Sequence, residues 1–103
     1  RMIEDLGPEN KVLLLPNHGA ITIGATLHEA FYLTYELVEA CKVQIMTQSC
    51  ANSQTGYSVV DEKIVDETYR IVQDNYTGNE FGKLEWDAVK RKMESQQGSG
   101  YKE

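Results

Sequence analysis

The sequence predicts an α/β fold in which strands near the N-terminus are followed by three amphipathic helices. Three observations carry this reading. Two apolar runs of strand length flank a polar turn, a capped helix begins just after them, and two later stretches repeat apolar residues at three- and four-residue steps. One hairpin is marginal alone, and several helices need a broader sheet to cover. The chain therefore reads as the C-terminal portion of a larger three-layer αβα domain, with residues 1–95 as the partial domain and residues 96–103 as a polar tail.

The elements follow in order. Gly7-Pro8-Glu9-Asn10 is a turn, since proline presets φ at the second position and Asn10 tolerates the left-handed conformation. Lys11 to Leu15 and Ala20 to Ile23 are the strands, and the four residues between them suit a hairpin with His18 at its tip. Lys11 to Leu15 is apolar on both faces, which marks a strand meant for the inside of a sheet.

Thr26 and Glu29 form a capping box that opens a helix from Thr26 to Gln48. Leu27, Ala30, Phe31, Thr34, Leu37, Val38, Cys41, Ile45 and Met46 make its apolar face, which should cover a sheet. Asn52 to Tyr57 is the loop that ends it. A second helix spans Asp61 to Asn75 with Ile64, Val65, Thr68, Tyr69, Val72 and Tyr76 on one stripe, and Tyr76-Thr77-Gly78-Asn79 stops it. A third runs from Leu84 to Glu94 with Trp86, Val89 and Met93 on one side, acidic residues early and basic residues late, as the helix dipole favours.

Composition narrows the function. The chain has 103 residues, of which 41% are hydrophobic and 25% charged, so it forms one domain at most. A net charge of −6 opposes direct binding to nucleic acid or an anionic membrane, and Lys90-Arg91-Lys92 is too short a cluster to change that. No apolar run approaches the ~20 residues of a transmembrane segment, nor is there a signal-peptide pattern. The expectation is a soluble, cytoplasmic chain. Cys41 and Cys50 lack metal-ligand spacing and read as reduced packing residues, with Cys41 on the apolar helix face.

Asn17-His18-Gly19, then Glu29-Ala30-Phe31-Tyr32, then Ala40-Cys41-Lys42-Val43-Gln44 carry a family resemblance. They resemble the class II aldolase/adducin family, and within it the C-terminal part of the adducin head domain. Gly82-Lys83-Leu84-Glu85-Trp86 and Gly98-Ser99-Gly100-Tyr101 fit the adducin pattern more loosely. In class II aldolases, the resemblance implies, a histidine in this turn is the third zinc ligand, and a His-x-His pair and a catalytic glutamate come from the preceding half. Such a zinc polarises a carbonyl and needs three protein ligands. His18 is the one matching ligand here, and only with upstream ligands would it hold metal. His28 lies outside the motif, and no carboxylate pair is placed for acid–base work. On the residues alone, His18 is a turn residue hydrogen-bonded to nearby backbone.

Two functions follow from the resemblance. The preferred one is a non-catalytic head-domain segment of an adducin-like membrane-skeleton protein, with no cofactor. It would form homo- or hetero-oligomers and support spectrin–actin assembly at the cytoplasmic face of the plasma membrane. The alternative is a fragment of a zinc-dependent class II aldolase, a lyase, or of an epimerase acting on a small sugar phosphate.

Overall fold

The structure, a computed structural model, describes residues 1–52, 56–75, 80–98 and 100. It is mixed α/β, in the order α1 (Met2–Leu6), β1 (Val12–Leu15), β2 (Gly19–Thr22), α2 (Leu27–Cys50), α3 (Glu62–Asn75) and α4 (Lys83–Gln97). The two strands and the three longer helices lie where the apolar periodicity puts them. α1 is an addition, because five residues are too few for a helical period to be read. It stops at Gly7, whose φ of 75° is open to glycine at little cost. The left-handed residue of this turn is thus Gly7. Asn10 instead caps α1 with its side chain, Nδ2 donating to the Leu6 carbonyl at 2.9 Å.

β1 and β2 pair antiparallel, Val12 opposite Thr22 and Leu15 opposite Gly19. Three residues, Pro16 to His18, join them. Asn17 takes φ 61°, a left-handed conformation that asparagine accepts more readily than most residues, and the His18 amide donates to the Leu15 carbonyl at 3.1 Å. The open end of the hairpin is closed by the Ile23 amide on the Lys11 carbonyl at 2.8 Å.

α2 starts as its capping residues require. Thr26 is extended, and its hydroxyl accepts the Glu29 amide at 3.2 Å. The reciprocal half of the box is shifted by one residue, since Glu29 Oε2 accepts from the Ala25 amide at 2.8 Å. α3 is capped by Asp61, whose Oδ1 accepts the Lys63 amide at 2.9 Å. α4 runs three residues past the expected end at Glu94, stopping at Gln97 before Gly98.

α4 docks on the first half of α2. Phe31 meets Trp86 edge to face with centroids 5.3 Å apart, and Tyr32 meets Phe81 in the same way at 5.0 Å. Gly82, left-handed at φ 76°, makes the approach possible: a Cβ there would fall 2.6 Å from Tyr32 Cβ and 2.7 Å from the His28 carbonyl oxygen.

The apolar face of α2 is covered only over its first turns. Among the described residues only Glu29 and Gly82 are buried, and no hydrophobic side chain is. Val38, Ile45 and Met46, expected to cover a sheet, are exposed, as are Ile64, Val65 and Tyr69 on α3. Cys41 and Cys50 are free and exposed, so Cys41 does not pack as its place on the apolar face implied. Tyr76 to Asn79, Ser53 to Thr55, Ser99 and Tyr101 to Glu103 lie outside the described residues.

Candidate functional site

His18 stands at the exposed tip of the hairpin. Its Nδ1 lies 3.0 Å from the Pro16 carbonyl oxygen, which can only accept. Nδ1 therefore carries the proton, and Nε2 of the neutral ring keeps its lone pair. This is the tautomer in which a histidine ligates a metal through Nε2 while its other nitrogen is held by a carbonyl. A zinc site needs two further protein ligands. Among the described residues no group of three His, Cys, Asp or Glu side chains converges to hold a metal ion. The described residues thus provide His18 as a single ligand and do not by themselves fit the ion. His28 lies on the first turn of α2, beside the glycine contact with α4 rather than at the hairpin tip.

The densest polar arrangement is at the other end of the hairpin. Glu29, 6% exposed, accepts from the Lys11 ammonium with one oxygen and from the Ala25 amide with the other. Burial pushes its carboxyl up. The hydrogen bonds from Lys11 and Ala25, with the charges of Lys11 and His28, outweigh that and hold it below the usual carboxylate range. Beside this pair, Thr22 Oγ1 lies 3.0 Å from the Ala30 carbonyl oxygen and 2.6 Å from Thr34 Oγ1.

A cleft of about 490 Å³ opens over the pair. Asn10 and Lys11 line it from the hairpin side, Glu29 and Leu33 from α2, Tyr69 from α3, together with Phe81. Its volume is in the range of small-molecule sites. No buried side-chain oxygen or nitrogen among the described residues lacks a hydrogen-bond partner.

Sequence reasoning took Glu29 as half of a capping box on the polar side of the helix. The box is visible in the spacing. The ion pair with Lys11, eighteen residues away, leaves no trace in it.

Comparison with known proteins adds a second line. The family model described as Class II Aldolase and Adducin N-terminal domain matches residues 1–45, which take in the hairpin, the cap and most of α2. Alpha-adducin of Rattus norvegicus is 40% identical over 58 residues, covering 56% of this chain and 8% of that protein. Beta-adducin of Homo sapiens is 32% identical over 81 residues, covering 79% of this chain and 10% of that protein. A Pseudomonas aeruginosa protein, named provisionally as an aldolase class 2 protein, is 34% identical over 103 residues, covering 100% of this chain and 39% of that protein. The chain thus spans a small part of the adducins it matches and well under half of the bacterial protein.

Proposed function

The chain belongs to the class II aldolase/adducin family, and from that premise we propose that it is a non-catalytic head-domain segment of an adducin-like scaffold. In this reading it is the C-terminal portion of a three-layer αβα domain whose remaining strands extend the β1–β2 sheet. Its work is self-association, and through the assembled head it supports spectrin–actin assembly at the cytoplasmic face of the plasma membrane. It needs no cofactor. No described helix is long and apolar enough to cross a membrane.

The observation that carries this reading is the match of residues 1–45, through the His18 turn into α2, to the family model, with alpha- and beta-adducin among the relatives. The later apolar turns of α2 and most of the stripe of α3, which are exposed, suit a chain that packs against more protein.

One observation favours a second reading. The bacterial relative matches across the entire chain, where the adducins match part of it. Under that reading the chain is a fragment of a zinc-dependent class II aldolase or epimerase, and His18 contributes one ligand through Nε2. The residues present would orient that ligand, with the Pro16 carbonyl fixing its tautomer.

Zinc retention and head-domain association separate the two. Because His18 alone cannot hold the ion, the test uses the full-length protein: after incubation with zinc and dialysis the scaffold reading expects no tightly held ion, and sedimentation with an adducin head domain expects a joint species. One zinc ion retained per chain, with cleavage of a ketose phosphate, would establish the enzyme reading instead.

A further inference from the structure

We propose that the Glu29–Lys11 clasp sets where the His18 turn stands relative to α2, which makes Glu29 a positioning residue for that turn. The inference holds under either reading of the function. It rests on where the hairpin is held and where it is not.

The tip of the hairpin is exposed, and His18 bonds there within the turn, its amide to the Leu15 carbonyl and its ring to the Pro16 carbonyl. The open end is different. Lys11, the residue before β1, reaches the buried Glu29 carboxylate on the first turn of α2. Thr22, the last residue of β2, sits against Ala30 and Thr34 one turn further along. Gly24 brings the connecting backbone so close that a Cβ there would fall 2.6 Å from the Ala30 nitrogen and 2.9 Å from Glu29 Cβ.

Glu29 is the centre of this attachment because it joins three segments at once. Its backbone belongs to α2, one oxygen holds the start of β1, and the other holds the Ala25 amide in the link that follows β2. A carboxylate can do this because its two oxygens accept independently. Its burial makes the arrangement strict, since a buried carboxylate is tolerated only while it stays paired. The four-residue strands put the tip ~13 Å from the clasp, at about 3.3 Å per residue. A small change of angle at the clasp is therefore a large displacement at His18. Whatever the turn meets, further ligands of a metal or the surface of a partner, it meets in a geometry set at Glu29.

The test follows backbone N–H residual dipolar couplings in the 103-residue chain, comparing residues 12–15 and 19–22 with α2. In the unchanged chain both sets should fit one alignment. In Glu29→Ala the hairpin couplings are expected to shrink by roughly half or more, as slow motions average them, while α2 and the Phe31–Trp86 contact persist. Glu29→Gln keeps the side chain's shape but offers one acceptor oxygen to two donors, so it should restore the common alignment only in part, whereas simple loss of packing would predict full rescue. Should Glu29→Ala fail to fold, Lys11→Met decides, because it removes the half-exposed partner and leaves the cap in place; the same selective loss is expected there. A hairpin that keeps its alignment with α2 in Glu29→Ala, or in Lys11→Met if the first does not fold, overturns the proposal.

Discussion

The hydroxyl of Thr26 accepts the Glu29 amide at the start of α2, satisfying one of the helix's orphan donors. Thr26→Ala should cost about 1 kcal/mol of stability. Thermal melting should drop by roughly 4–8 °C for a chain of this size; an unchanged melt would mean that the cap contributes nothing. The neighbouring carboxyl gives a pH dependence of definite sign. Glu29 in the folded chain titrates below its ordinary value of 4.5, so the clasp's contribution is complete above that value. It is lost as the pH falls through the folded value, because the unfolded chain then binds the proton first. Melting temperature should therefore fall on acidification below about pH 4.5, and by less in Glu29→Gln. Equal acid sensitivity in the two would show that other carboxylates carry the effect.

At the level of elements, α2 meets α4 through the edge-to-face pair Phe31–Trp86 and meets the segment just before α4 through Tyr32–Phe81, and Gly82 permits the approach. Its left-handed φ and the closeness of Tyr32 Cβ both reject a side chain. Gly82→Ala should destabilise by about 1–2 kcal/mol from the backbone conformation alone, with more from the clash. Trp86 fluorescence reports on the docking directly. A red-shifted emission at temperatures where the helical circular dichroism is intact is the expected signature, and an unshifted spectrum would show that α4 begins without Gly82. The hairpin also bears on α2, through Thr22 and Lys11. Two elements therefore hold the first turns of α2, while the exposed side chains of its later turns include Val43, Ile45 and Met46.

The molecule as a whole is extended for its size. Its radius of gyration is 17.3 Å and its extents are 56 × 32 × 31 Å, against about 13 Å for a compact domain of 100 residues. α2, at 24 residues and about 1.5 Å per residue, accounts for much of the long axis. Apolar side chains that reach water on α2 and α3 favour association, and the two-stranded sheet leaves strand edges able to template pairing. Sedimentation at high concentration is expected to show a dimer or larger species. A cooperative monomer with a radius of gyration near that of a compact domain would mean that the chain closes a core these elements do not form.

The sequence by itself determined what depends on neighbours a few residues apart. Thr26 as a cap, the three long helices, the hairpin and the His18 turn are all written in spacing, because helical hydrogen bonds and capping reach only three or four residues and a short turn pairs the two strands that flank it. α1 escaped because five residues span under one and a half turns, too little for a period. The family was legible too, in motifs that are local runs. Tertiary structure alone decided burial. The stripes of α2 and α3 read as core, yet the later turns of the first and most of the second are exposed, since a stripe states only which face seeks apolar cover and not whether another element supplies it. The same holds for Glu29, whose place in the sequence marks it as a capping residue outside the apolar face. Its burial and its partner Lys11 arise from the angle at which the hairpin folds back on α2, a geometry that no spacing along the chain encodes.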